Sequence, residues 1–138
     1  MPKRKKILRV IHSLNPACGG PQEAILQITP HIAKHGFETT VISLDPSNSH
    51  WLKNKPYKAI GLGPSFLKYG FIFGLISQIE SISVEYDLVI VHGLWQFHSL
   101  ATWLALKKTK KKYFVFTHGM LDPWFKDKYP IKHLRKLI

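Results

Sequence analysis

Cysteine occurs once, at Cys18. That excludes an intrachain disulfide and a cysteine-rich metal site, and it points to a reducing compartment. Acidic residues are also scarce: 8 Asp and Glu stand against 20 Lys and Arg, for a formal net charge of +12. A field of that size favours polyanions, whether nucleic acid, anionic lipid or phosphorylated ligands, without choosing among them. Long apolar runs are missing. The most lipid-like stretch, residues 66–79, contains Lys68 and falls short of the ~20 apolar residues that a membrane-spanning helix needs, so it reads as a core helix. The opening MPKRKKILRVIHSL sets a basic cluster before apolar residues, but Arg9 and His12 interrupt the run before a signal-peptide core forms. Secretion is therefore not expected, and a cytoplasmic location is. Internal repeats and low-complexity linkers are absent too.

What is present is a core. Of 138 residues, 45% are hydrophobic and 12% aromatic, too apolar for a disordered chain and enough for one packed domain over residues 1–138. Short β-branched runs bounded by turn residues read as strands at 7–12, 39–44, 57–62, 87–92 and 113–117. Between the first two, Ala24, Ile25, Ile28 and Ile32 recur at helical spacing over residues 21–35. Pro21 suits the first turn of that helix and Gly36 its stop. Pro30 inside the span predicts a kink, since proline removes a backbone hydrogen bond at a cost of about 3 kcal/mol. Leu67, Phe71, Leu75, Ile79 and Ile82, joined by Ile72 and Ile76, form one broad helical face before the fourth strand. Residues 98–109 read as a further helix, with the cationic run 107–112 suited to its negative dipole end. The polar stretch from Asp45 to Pro56 has no period and reads as a surface loop.

Five short apolar strands with helices between most of them predict an α/β fold. The expected form is a Rossmann-like, mostly parallel sheet with helices on both faces and right-handed crossovers, in strand order 3-2-1-4-5. In that order the chain reverses between strands one and four, and ligands bind at the carboxyl ends beside the reversal. His12, His92 and His118 end strands one, four and five, and the loop NPACGGPQE follows strand one, so all are expected to face one crevice. Gly19-Gly20 reads either as a tight turn or as an anion site, where backbone N–H groups and a helix N-terminus approach a phosphate. The loop lacks the G-x-G-x-x-G spacing of dinucleotide sites. His92-Gly93 and His118-Gly119 repeat one pattern, a buried strand delivering a histidine and then a glycine. Imidazoles at neighbouring strand ends point to a site. His98 and Asp122 are near in sequence, but no H-E-x-x-H or other tight ligand spacing occurs, so no metal is expected. Trp95, Phe97 and Trp124 flank the histidines and would line a sugar or an apolar acceptor chain, or else pack in the core.

The short basic strand, the Gly-Gly loop opening a helix, VIVHGLW at strand four and THGMLDPW after strand five together resemble the amino-terminal domain of glycosyltransferase family 4, retaining transferases of the GT-B fold. The resemblance covers essentially the whole chain, and THGMLDPW is similar to members that build bacterial exopolysaccharide and lipopolysaccharide. It implies that the chain is one half of a GT-B fold, that Gly19 and Gly20 lie against the diphosphate of a nucleotide-sugar donor, and that His118 reaches the transferred sugar as the catalytic histidine. His92, Trp95, Gly119, Asp122 and Trp124 would then shape the acceptor or sugar side. It implies no metal and no cofactor beyond the nucleotide sugar. The implied partners are a glycan or lipid-linked acceptor and a carboxyl-terminal GT-B domain, in the same or a separate chain.

The sequence also departs from that family. The carboxyl-terminal domain of such enzymes carries most of the nucleotide site, including paired glutamates spaced E-x7-E, and Glu23, Glu38, Glu80 and Glu85 offer no such spacing. In KHLRKLI, Leu134, Leu137 and Ile138 begin an apolar helical face with no cap behind them, the pattern expected of a fragment, a split enzyme or a truncated product. By itself the chain is expected to have no meaningful transferase activity. Basic clusters at 3–6, 53–58, 107–112 and 126–136 read as a solvated surface or as peripheral attachment to an anionic inner leaflet, where each nearby Lys or Arg is worth ~1 kcal/mol. The alternative function is a non-catalytic basic binding module for nucleic acid or nucleotide on the same fold. Nucleic acid is not the expected partner, because the lysines sit in runs at element ends without interleaved aromatics.

Overall fold

The structure is a computed structural model and describes residues 2–119. The chain runs β1 (Lys5–Ile11), α1 (Gly20–Ala33), β2 (Phe37–Pro46), β3 (Lys58–Gly63), α2 (Leu75–Ser83), β4 (Leu88–His92), α3 (Phe97–Leu106) and β5 (Tyr113–Phe116). Short 3-10 turns occur at Pro16–Cys18 and His50–Leu52. The strands form one sheet in the order β3-β2-β1-β4-β5, and every neighbouring pair is parallel. This is the expected Rossmann-like order, with each strand starting and stopping within two residues of its β-branched run.

The two faces of the sheet bury different clusters. Leu8 and Val10 of β1 and Val89 and Val91 of β4 meet Leu75 and Ile79 of α2 and Phe97, Ala101 and Leu106 of α3. On the opposite face Ile11 and Val41 pack with Leu14, Ile25 of α1 and Tyr57. Each fully buried Leu or Ile contributes about 2 kcal/mol. Helices on both faces are what near-continuous apolar strands of a parallel sheet require.

One helical expectation stands and two change. α1 persists through Pro30 to Ala33; Pro30 supplies no N–H to the Leu26 carbonyl, while the Thr29 hydroxyl bonds back to the Ile25 carbonyl at 2.6 Å. α2 does not span the long apolar face that begins at Leu67. It starts at Leu75, and residues 66–74 instead fold into a turn closed by an antiparallel bridge between Phe66 and Phe71. Leu67 at φ 62, Gly70 at φ 80 and Gly74 at φ 79 all adopt left-handed backbone, which a continuous α-helix forbids. α3 stops at Leu106, so the whole cationic run follows the helix; the Thr109 hydroxyl and N–H both bond to the Leu106 carbonyl at 2.9 Å.

The stretch read as a loop from Asp45 is also partly ordered into the fold. β2 continues through Asp45 to Pro46, and Trp51 and Leu52 pack against the second cluster. Among the described residues no helix is long and apolar enough to cross a membrane.

Candidate functional site

The chain leaves β1 toward β2 on one side of the sheet and returns to β4 on the other, so the loops above β1 and β4 diverge. Between them lies a cleft of about 300 Å³. Its walls include His12 and Ser13 beyond β1, Cys18 and Gln22 of the glycine loop and first turn of α1, and His92 and Gly93 at and just beyond the end of β4. That volume is at the lower end of ligand pockets and suits one sugar ring or phosphate group.

Asp45 anchors the loop that forms one wall. Buried at the end of β2, its carboxylate accepts hydrogen bonds from the Ser13 hydroxyl at 2.6 Å, the Leu14 N–H at 2.8 Å and the Ser43 hydroxyl at 2.7 Å. Asn15 then caps the 3-10 turn by accepting the Ala17 N–H at 3.0 Å. Gly19 follows at φ 90, a left-handed value that favours glycine, and opens α1. A Cβ built on Gly19 or Gly20 meets no atom within 4 Å, so space stands open over the amino end of the helix. Gln22 is buried on the cleft wall, and among the described residues neither its Oε1 nor the buried Nδ1 of His12 has a partner.

The histidines form a connected set. Arg9, in mid-strand on β1 and 3% exposed, donates from Nη1 to Nε2 of His92 at 3.0 Å. Guanidinium only donates, so His92 Nε2 is bare and its proton sits on Nδ1, 2.8 Å from Nε2 of His118. The two ring planes are inclined by 26° with centroids 5.1 Å apart, the edge-to-edge arrangement that such a hydrogen bond requires. Beneath them His98 donates from Nε2 to the His92 carbonyl at 2.7 Å, leaving its buried Nδ1 bare. Burial, then the charge of Arg9, pushes His92 down to about 3, and burial pushes His98 down to about 4. His118 is also lowered by burial, and His12 is lowered by burial with Asp45 opposing. The set is therefore neutral near pH 7. His118 itself holds a left-handed backbone at φ 49, a strained conformation for a side chain of its size.

An aromatic turn borders the same edge of the sheet. The Phe97 N–H bonds to the Tyr69 carbonyl at 2.8 Å, and Gln96 Nε2 to the Lys68 carbonyl at 3.2 Å. Phe71 and Tyr69 pack on the Phe97 ring at 4.8 and 5.8 Å. Phe66, Leu67 and Phe73 are left 64%, 84% and 88% exposed. Lysines gather at the other edge, where Lys3, Lys5, Lys6 and 110–112 surround Asp87.

Of the residues singled out from sequence, His12 and His92 line the cleft, Gly19 and Gly20 lie between its lining residues Cys18 and Pro21 without lining it themselves, and His118 stands beside it through His92, followed by Gly119. Trp95 is half-buried in the turn between β4 and α3. Asp122 and Trp124 lie outside the described residues. His98 serves the backbone of β4. Among the described residues no group of three or more His, Cys, Asp or Glu is placed to hold a metal ion. Arg9, Asp45 and Gln22 were not foreseen as site residues. A lone arginine inside ILRVIH was the available signal, because a charge in a central strand must have a buried partner.

The structure is similar to the C-terminal domain of a hydrogenase from Pyrococcus furiosus, with a TM-score of 0.54 at 15% identity, covering 83% of this chain and 93% of that one. At that identity the likeness is one of fold alone. No curated protein matches the chain. A family model, Glycosyltransferase Family 4, matches residues 18–138, from the start of the glycine loop onward. With a parallel Rossmann-like sheet that suits one half of a GT-B fold, a glycine loop at its switch point and a match over most of its length, the chain belongs to glycosyltransferase family 4.

Proposed function

We propose that this chain is the acceptor-side, amino-terminal half of a retaining glycosyltransferase. It takes a sugar from a nucleotide-sugar donor to a glycan or lipid-linked acceptor in bacterial-type polysaccharide synthesis. The observation that carries the reading is the cleft at the β1/β4 switch point, which joins the open amino end of α1 to His12 after β1 and His92 at the end of β4. Gly19 and Gly20 let backbone N–H groups approach the donor diphosphate, whose negative charge grows as it departs. His118 bonds a hydroxyl of the transferred sugar, and no metal or further cofactor is used. A carboxyl-terminal GT-B domain, in this or a separate chain, closes over the cleft and supplies the rest of the nucleotide site.

The exposed aromatic turn at the rim supports an acceptor with an apolar portion, such as a lipid carrier, and the net charge of +12 supports peripheral attachment to an anionic cytoplasmic membrane surface. The test is transfer from a panel of nucleotide sugars by the protein made from its natural gene. Sugar transfer that falls about 100-fold or more in Gly20→Val and in His118→Ala is the expected result, since one lost transition-state contact costs about that much. Failure of every nucleotide sugar to bind or react overturns the proposal.

A further inference from the structure

Arg9 is a cation in the wrong place for a structural residue. It is 3% exposed on the central strand, and among the described residues no carboxylate pairs with it and its Nε has no partner. Arginine stays charged in proteins, so burial does not neutralise it. Burial lowers its affinity for the proton without offering a counter-charge. A methionine or leucine would fill the same strand position without that penalty. Among the described residues its side chain hydrogen-bonds the imidazole at the lip of the cleft.

We infer that Arg9 is a positioning residue that sets the proton pattern of the His92–His118 pair, so that His118 meets its ligand as a hydrogen-bond donor. Arg9 Nη1 donates to His92 Nε2 at 3.0 Å, which confines the His92 proton to Nδ1. Nδ1–H donates to His118 Nε2 at 2.8 Å, which confines the His118 proton to its own Nδ1. That Nδ1–H is the nitrogen left outside the pair. A neutral His118 fixed this way recognises an acceptor, such as a sugar hydroxyl oxygen, and does not act as a base through Nδ1. His118 presents its ring from a left-handed backbone, and the two ring planes are inclined by only 26°, which suits the nitrogen-to-nitrogen hydrogen bond. The ligand in this statement rests on the transferase reading; the proton pattern does not.

The test is nitrogen NMR of the histidine rings in the 138-residue chain at pH 7. His92 and His118 are both expected in the Nδ1–H tautomer, the less common form for histidine in water, and His98 in the Nε2–H tautomer as an internal control. In Arg9→Met, His92 and His118 lose that signature while His98 keeps its own; Arg9→Lys, which retains a donor, restores it in part. An Nε2–H tautomer at His118 in the unaltered chain, or no change in Arg9→Met, overturns the inference. Should Arg9→Met fail to fold, the tautomers of the unaltered chain still decide it. In the complete transferase, Arg9→Met is expected to lower turnover about 10-fold or more with donor KM little changed, and Arg9→Lys to recover part of it. Correct tautomers with no sugar transfer by the complete protein would sink the transferase reading and leave the role of Arg9 standing.

Discussion

Nδ1 of His92 lies 2.8 Å from Nε2 of His118, and both rings are held neutral by burial. Protonation of either ring breaks this arrangement. His92 is pushed from its ordinary 6.5 down to about 3, and His98 to about 4. Below pH 6.5 the unfolded chain binds protons that the folded chain does not, so stability falls as pH drops from about 6.5 toward those values. Each such histidine contributes a slope of up to ~1.4 kcal/mol per pH unit. Asp87, lowered mainly by the Lys6 N–H, begins to matter only below its ordinary 3.8. Urea denaturation at pH 7.5, 6 and 5 is therefore expected to show a steady loss of unfolding free energy. Level stability over that range would mean that the histidines are not held neutral.

Gly70 and Gly74 form a matched pair. Both have left-handed backbone, at φ 80 and 79, but a Cβ on Gly70 would sit 2.7 Å from the His12 ring, whereas one on Gly74 meets nothing within 4 Å. Gly74→Ala is expected to cost about 1 kcal/mol from backbone strain alone. Gly70→Ala carries that strain and a clash with His12 and Leu44, and overpacking adds about 1–3 kcal/mol. The difference in unfolding free energy between the two variants measures how tightly the aromatic turn is seated on His12. Equal costs would mean that the turn lifts away freely.

The sheet was legible because its signal is simple: five β-branched runs, each ending in turn chemistry, can lie in few orders. The carboxyl-edge placement of His92 and Gly19 followed from that order. The turn at residues 66–74 was not legible from periodicity, because Leu67, Phe71 and Leu75 keep helical spacing while Gly70 and Gly74 forbid the helix. Aromatics there serve an exposed rim, which mimics one face of a buried helix in sequence. Arg9 and Asp45 were missed for a related reason. Their roles depend on partners 83 and 32 residues away, His92 and Ser13, and a single sequence offers no sign of such pairings beyond a charge in an apolar run.

Asp45 fixes the loop wall of the cleft through three hydrogen bonds to its carboxylate. Asp45→Ala leaves the Leu14 N–H and two hydroxyls without their acceptor and is expected to cost about 3 kcal/mol, since bonds to a buried charge are worth more than neutral ones. Asp45→Asn keeps the shape and about half of that loss. Hydrogen exchange at the Leu14 amide supplies the local readout: its protection should collapse in Asp45→Ala before the strands of the sheet open. Protection that survives there would show that the loop is held by packing instead.

The exposed aromatic turn and the lysine cluster lie at opposite edges of the sheet, so they cannot both press against one flat membrane. If the acceptor is drawn from a lipid surface, the aromatic rim must face it, because the cleft opens on that side. Phe66→Ser with Phe73→Ser removes two largely exposed rings, so unfolding free energy should change by less than about 0.5 kcal/mol. Flotation with vesicles containing anionic lipid at low salt should nevertheless fall several-fold. Replacing Lys110, Lys111 and Lys112 with alanine lowers the long-range attraction, each nearby cation being worth ~1 kcal/mol, and should make the remaining binding less sensitive to salt. Loss of flotation in the lysine variant alone, with the aromatic variant unaffected, would place the membrane at the amino-terminal edge and turn the cleft toward solvent. A lipid-linked acceptor would then have to leave the membrane to reach His118.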